Sequence, residues 1–413
     1  PTAAISAFKE VPAMSLNEQT SAERLHIGFF GLRNAGKSSL VNAFTGQQLS
    51  LVSDIKGTTT DPVQKAMELL PIGPIVVIDT PGIDDYGALG EMRVQRARAI
   101  LDKTDLAILT ADALIGLQQA DKELIALFKA KEIPYIIAYN KADLLKKIPE
   151  CAPNEIYVSA KENININALK ELAGKLSGAS KSNKRIISDL LKPGDIAILV
   201  TPIDSSAPKG RLILPQQQTI RDILDGNAIA LVCQETELSQ TLNALKSRPS
   251  IVITDSQVFE KVDKAVPSDI PLTSFSILFA RYKGNLLEAA KGAVQLDKLR
   301  DGDRILIAEG CTHHRQCEDI GTVKLPRWIE NYTRRKLKYE FTSGGDFPEN
   351  LSGYALVIHC GGCMLNEREM KARIRHSADC GVPITNYGVA IAQMHGILKR
   401  ALTPFSEIVS ALD

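Results

Sequence analysis

Short runs of β-branched and aromatic residues alternate with stretches of helical apolar period along most of the chain. From Leu25 to about Gly178 the runs "HIGFFG", "PIVVIDT", "DLAILTAD", "IPYIIAYN" and "EIYVSA" are separated by segments such as "EMRVQRARAIL" and "DKELIALFKAK". Apolar strands joined by crossover helices predict a parallel sheet covered on both faces. The stretch "LSGASKSNKR", Leu176 to Arg185, is small, polar and basic with no apolar period, and reads as a linker. A second alternating block follows, with strands expected at "DIAILVTP", "AIALVC", "SIVITD" and "SFSILF" and a helix near "QTIRDILD". Punctuation at "VPSDIP", Val266 to Pro271, predicts a further junction, after which "DRILIAEGC", "YALVIHCGGC" and "VPITNYG" outline a third, smaller unit. The basic "PRWIENYTRRKLK" is expected to be a solvated helix with Trp328 packed beneath it. The predicted fold class is α/β: a phosphate-loop domain followed by two smaller α/β domains. The expected divisions are an N-terminal arm (1–23), a first domain (24–178), a linker (179–185), a second domain suited to dimerisation (186–266) and a third (267–413).

Composition narrows the function. Of 413 residues, 44% are hydrophobic and 23% charged, and 49 Lys plus Arg against 48 Asp plus Glu leave a formal charge of +1. That balance offers no broad footprint for nucleic acid or an anionic membrane. The first twenty residues lack the apolar stretch of a secretory signal, and no later run approaches a membrane span, so the expected location is the cytoplasm. In a reducing compartment, the seven Cys point to metal binding or catalysis before disulfides.

The chemistry concentrates at two places. "GLRNAGKS", Gly31 to Ser38, follows the strand "HIGFF" and opens the helical "KSSLVNAF", which is the setting a phosphate loop requires. Gly31, Asn34, Ala35, Gly36, Lys37, Ser38 and Ser39 would surround phosphate, with Lys37 on the β and γ phosphates and Ser38 on Mg²⁺. "DTPG" ends a strand and puts Asp79 beside that Mg²⁺, with Gly82 presenting its N–H to the γ phosphate. "NKAD" (Asn140, Lys141, Asp143) and "SAK" (Ser159, Ala160, Lys161) end two further strands. Asp143 can accept two parallel N–H bonds from guanine, whereas adenine would leave it unsatisfied, so the nucleotide expected is GTP, preferred by about 10⁴. Ile83 follows "DTPG" where Ras-like enzymes carry a water-orienting glutamine. "SDIKGTTTD", Ser53 to Asp61, sits at the switch position, and Thr58 or Thr59 would close on Mg²⁺, Thr59 by motif alignment. These motifs resemble the tRNA-modification and Era-like GTPases. The resemblance implies a K⁺ ion held by Asn34 and the switch backbone, supplying the charge that an arginine finger supplies elsewhere.

At the far end, "CTHHRQC" carries Cys311, His313, His314 and Cys317, and "HCGGC" carries His359, Cys360 and Cys363. Both follow apolar strands, so the thiols emerge where open α/β sheets assemble their sites. Three Cys and one His satisfy a structural Zn²⁺; the same thiols hold three corners of a 4Fe-4S cluster. Residue chemistry leaves both open. Cys151, Cys233 and Cys380, and the isolated His26, His376 and His395, are expected in structural or surface roles.

A GTPase joined to a C-x-H and then, about 45 residues on, an H-C-x-x-C resembles the HydF family, the scaffold GTPases of FeFe-hydrogenase maturation. The likeness extends to "PGDIAILVTPIDSSAPKGRLILPQQQTIRDILD" and "GVPITNYGVAIAQMHG". It implies a 4Fe-4S cluster on Cys311, Cys360 and Cys363, with His359, Glu309 or His313 as an exchangeable fourth ligand and Cys317 behind them. It also implies transient carriage of a diiron subcluster, a homodimer, and the radical-SAM maturases HydE and HydG and apo FeFe-hydrogenase as partners. The rival reading is an RNA-binding or ribosome-assembly GTPase with a structural zinc domain.

Overall fold

The computed structural model describes residues 23–47, 63–69, 73–80, 99–179, 184–203, 212–310 and 320–412. Three sheets organise the chain. The first contains β1 (Leu25–Gly31), β2 (Val63–Leu69), β3 (Gly73–Asp79), β4 (Leu106–Asp112), β5 (Tyr135–Asn140) and β6 (Glu155–Tyr157), in the order β2-β3-β1-β4-β5-β6. All neighbours are parallel except β2, which runs antiparallel to β3 at the edge.

Successive residues of one strand serve different cores. Phe29 packs edge-on against Phe44 of the Lys37–Thr45 helix, and Phe30 packs against Phe128 of the Gln119–Ala130 helix on the other face. Both faces are covered, and the strands are therefore apolar runs rather than alternating ones.

The second sheet holds β7 (Ile196–Val200), β8 (Ile229–Cys233), β9 (Ile251–Thr254) and β10 (Leu272–Ser274), ordered β10-β9-β7-β8 and parallel throughout. The third holds β11 (Arg304–Ala308), β12 (Lys338–Thr342), β13 (Leu356–His359) and β14 (Ile384–Asn386), ordered β12-β11-β13-β14 and also parallel.

Three expectations change. "SFSILF" is a helix, Phe275–Lys283, apart from Ser274, whose Oγ accepts from the N–H of Ile277 at 3.3 Å and caps it. A short run that is apolar all round fits a buried helix as well as a strand, and the serine cap decides between them. The junction expected at Val266–Pro271 lies inside the second unit, because β10 beyond it pairs with β9. The second and third units also share a core: Val389, Ala392, Leu398 and Phe405, from near the C-terminus, pack with Ile198, Ile253 and Phe279. Lastly, the helix expected over "PRWIENYTRRKLK" spans Leu325–Thr333, ends with Arg334 in the left-handed region (φ 57°), and gives way to β12. Trp328 is half-buried against the third core, as anticipated.

Candidate functional site

At the nucleotide end, β1 delivers the chain into a loop that needs glycine. Gly31 has φ 148°, and a Cβ there would lie 2.4 Å from the Thr110 carbonyl oxygen; Gly36 has φ 83°, and its Cβ would meet Asn140 Nδ2 at 2.3 Å. Asn34, exposed, adopts φ 65°. The helix then begins at Lys37, its N-terminus facing the end of β3. The buried Lys37 ammonium pairs with the Asp79 carboxylate, and Ser38 Oγ donates to Asp79 Oδ2 at 3.5 Å. Of the residues expected on phosphate and Mg²⁺, Lys37, Ser38 and Asp79 thus meet at one helix N-terminus.

The base-side residues are held by one another. Asn140 Nδ2 donates to the carbonyls of Ala35 (3.1 Å) and Gly36 (3.3 Å), while its Oδ1 accepts from Ala160 N at 3.0 Å. Asn140 therefore ties the phosphate loop to the "SAK" loop. Ser159 Oγ donates to Asp143 Oδ1 at 2.5 Å and fixes that carboxylate. Lys141, with φ 67°, extends its ammonium to Asp112 Oδ2 at 2.6 Å. Burial pushes the Asp112 carboxyl up, but the Lys141 hydrogen bond, the N–H of Leu114 and the Lys141 charge outweigh it and hold Asp112 below the usual carboxylate range. Asp112 was not singled out in the sequence, although a carboxylate ending an apolar strand is the signal that marks Asp79. Ser39 and Lys161 are exposed, Lys161 pairing with Glu162 at 3.4 Å. Thr58, Thr59 and Gly82 lie outside the described residues.

At the thiol end, β11 and β13 lie side by side with Ala308 opposite His359, and Cys360 N donates to Ala308 O at 2.8 Å. Cys360 Sγ accepts from Gly310 N at 3.1 Å and from Gly362 N at 3.4 Å. Amides aimed at one sulfur favour its thiolate, the form a metal requires. Gly310 is bonded to Cys311, so the first thiol motif leaves β11 at the sulfur of the second. Cys311 and His313, with His314 and Cys317, lie outside the described residues. Among the described residues no three His, Cys, Asp or Glu side chains gather as a metal site.

Cys363 is supported from another unit. Lys283, at the end of the Phe275–Lys283 helix and 4% exposed, donates to the carbonyls of Cys363 (3.2 Å) and Leu365 (3.0 Å). Burial pushes the Cys363 thiol up, and the Lys283 charge pulls the other way. Nothing in the local sequence marks Lys283.

His359 departs from its expected role. It is 1% exposed; Nδ1 lies 2.8 Å from Cys360 O and Nε2 lies 2.9 Å from Arg373 Nη1. These partners assign the proton to Nδ1, with Nε2 accepting from Arg373. Burial, with the Arg373 charge second, pushes its pKa down to about 3, so the ring is neutral. Both nitrogens are engaged and neither presents a lone pair to iron, which makes His359 a brace for Cys360. Glu309 is buried, its Oε1 accepting from the Tyr387 hydroxyl at 3.2 Å. A small pocket opens beside the loop, lined in part by Cys360, Gly361, Phe279, Met370 and Ile374.

Of the remaining thiols and imidazoles, Cys151 is exposed, Cys233 and Cys380 are half-buried against the second and third units' cores, and His26 is buried with Nδ1 2.9 Å from Arg24 O.

Comparison with known proteins matches three successive stretches of the chain. A family model described as a 50S ribosome-binding GTPase matches residues 26–141. One described as the hydrogen maturase F dimerization domain matches 186–284, and one described as the hydrogen maturase F tetramerization domain matches 287–404. Among curated proteins, the tRNA modification GTPase MnmE of Hydrogenovibrio crunogenus is 32% identical over 154 residues, covering 36% of this chain and 34% of MnmE. GTPase Der of Maridesulfovibrio salexigens is 38% identical over 135 residues, covering 32% of this chain and 30% of Der. The chain thus spans about a third of the length of these curated relatives. A solved structure of Aquifex aeolicus Era bound to GDP·AlF4⁻ aligns at 19% identity over 54% of this chain and 98% of that one, with a TM-score of 0.34. The two hydrogen maturase F models together take in more than half of the chain, directly behind a GTPase domain, and the chain belongs to the HydF family of hydrogenase-maturation GTPases.

Proposed function

We propose that this chain couples GTP hydrolysis to a metallocofactor carrier: it holds a 4Fe-4S cluster on Cys311, Cys360 and Cys363 and carries a diiron precursor to apo FeFe-hydrogenase. The observation that carries the reading is the N–H of Gly310 on Cys360 Sγ, which brings the stem of the Cys311 motif to the sulfur of the other. The donor set fits the cluster: one sulfur sits in a nest of amides, another beside a buried ammonium, and the Gly361–Gly362 pair keeps the loop free of side chains. When bound, the cluster would supply an iron with one replaceable ligand. With His359 braced elsewhere, Glu309 and His313 are the remaining candidates for that position.

At the other end GTP and water become GDP and phosphate. Lys37 would neutralise the β and γ phosphates, Ser38 and Thr59 would hold Mg²⁺ with Asp79 beside it, and the N–H of Gly82 would sense the γ phosphate. Asn34, exposed and in a left-handed conformation, would share a K⁺ ion with the switch backbone. Replacing K⁺ with Na⁺ is expected to slow turnover about tenfold or more, and equal rates in the two salts remove the K⁺ assignment.

The oligomeric assignments of the two matched models support a homodimer or higher assembly. The outer edge of the second sheet agrees with it: β8 exposes Ile229 (51%) and Val232 (42%), an apolar edge that solitary sheets avoid. Among the described residues no helix is long and apolar enough to cross a membrane. HydE, HydG and apo-hydrogenase are the partners this role requires, in the cytoplasm and without nucleic acid. The rival RNA-binding reading needs an RNA module where the hydrogen maturase F models match.

The test is anaerobic reconstitution with iron and sulfide, followed by metal analysis and EPR of the reduced protein. The expected result is a brown protein whose iron and EPR signal are lost in C311A, C360A and C363A. A colourless protein with stoichiometric zinc overturns the reading.

A further inference from the structure

The Glu367–Asp379 helix touches both the GTPase domain and the thiol loop. Its N-cap, Asn366, uses Oδ1 to cap the N–H of Glu369 (2.9 Å) and Nδ2 to donate to Lys103 O of the GTPase domain (2.8 Å). Arg368 donates to the carbonyls of Lys131 (3.1 Å) and Glu132 (3.3 Å) and lies 4.0 Å from Asp105. These GTPase residues sit where the chain enters β4 and β5, at the end of the sheet opposite the phosphate loop. One turn on, Glu369 lies 3.5 Å from Lys103 Nζ and accepts from Arg373 Nη2 at 2.9 Å. Arg373 then reaches His359 Nε2, the brace of Cys360, and Gly344 O at 2.6 Å. On the same helix Met370 packs on Gly362 so closely that a Cβ there would meet its sulfur at 2.5 Å.

Lys103 closes a helix end, residues 99–101, that follows the "DTPG" loop in sequence. The stretch from Asp79 to that helix end is the part of a GTPase that responds to the γ phosphate. The buried groups have few alternative partners: Arg373 is 5% exposed, Glu369 8% and His359 1%. Moving Lys103 therefore moves Glu369, and the fork of Arg373 transmits the shift to His359 and Cys360.

We propose that the Glu367–Asp379 helix is the strut linking nucleotide state to the thiol loop, with Glu369 and Arg373 as positioning residues that join Lys103 to His359. Such a link is reciprocal: what GTP does to the thiols, metal at the thiols does to GTP. Only the metal arm of the test rests on the proposed cluster.

The first arm uses the metal-free full chain with Mg²⁺ and measures alkylation of Cys360 by iodoacetamide, mapped by peptide mass. The rate is expected to differ about threefold or more between GDP and a non-hydrolysable GTP analogue, a difference lost in E369Q and K103M and kept in K103R. K103M alters a partly exposed side chain, so a folded variant is available if substitutions at the buried residues fail. Equal rates with the two nucleotides in the unsubstituted chain, or a difference that survives in both E369Q and K103M, overturns the strut. The second arm measures affinities for the analogue and GDP before and after reconstitution; their ratio is expected to shift about fivefold or more, and not in K103M. If iron loads but Cys360 is blind to nucleotide, the strut falls and the cluster reading stands. If no iron loads while Cys360 responds, the cluster reading falls and the strut stands.

Discussion

At the nucleotide end each polar side chain is held by a residue of the same unit, whereas at the thiol end some of the holding groups come from other units. Lys37 meets Asp79, Asn140 meets Ala35 and Ala160, and Asp143 meets Ser159, all within the loops at the strand ends of the first sheet. The Cys363 carbonyl instead meets Lys283 of the second unit, and Glu369, behind the thiol loop, meets Lys103 of the first. A site braced from within is complete once its own domain folds. A site braced from outside responds to how the units sit together.

The sharpest way to break this contrast is a methyl group. G31A forces a Cβ onto the Thr110 carbonyl at a left-handed φ and is expected to cost about 3 kcal/mol or more, with loss of nucleotide binding. In the thiol loop, a Cβ at Gly361 meets nothing within 4 Å, so G361A should leave stability nearly unchanged. Denaturant unfolding and fluorescent-GDP titration of both variants measure the difference; equal losses would contradict the asymmetry.

Next in size is D143N. It removes the charged acceptor proposed for guanine's paired N–H groups and should weaken GTP binding by about 100-fold or more, with ATP affinity unchanged. Competition titration with the two nucleotides reads this directly. K283M follows: two carbonyls lose their buried donor, for an expected cost of about 1–3 kcal/mol. The loss should show as faster amide exchange in the Cys363–Leu365 loop while GDP affinity stays within about twofold, because the nucleotide site takes nothing from Lys283.

The contrast also explains what was legible in the sequence. Strands buried on both faces appear as uninterrupted apolar runs, so β1, β3, β4 and β5 stand out, and motifs at their ends fall in their proper order. The edge strand β2 exposes Lys65, Ala66 and Glu68, and β12 exposes Lys338, Glu340 and Phe341; neither has the apolar run that marks a strand. "SFSILF" carried the right hydrophobicity with the wrong geometry. His359 stands beside the thiols in sequence, where its chemistry makes it a ligand candidate, yet its ring is held by Arg373 on a separate helix, a pairing that only the packed third unit creates. Lys283 is silent because its partners, the carbonyls of Cys363 and Leu365, lie far along the chain in another unit.

The smallest effect isolates the strut's first contact. Asn366 does two jobs with two atoms: Oδ1 caps its helix and Nδ2 reaches Lys103 O. N366S keeps a capping oxygen and drops the reach, N366D keeps the cap and sets a carboxylate against a carbonyl, and N366A removes both. Cap loss costs about 1 kcal/mol, so exchange of the Glu369 amide should quicken in N366A and stay near its original rate in N366S and N366D. Protection across the Lys103–Asp105 turn should fall in all three, most in N366D, where like-signed oxygens face each other. If that turn keeps its protection in N366D, the two ends of the chain fold beside one another without being joined here, and the thiol site is braced from within after all.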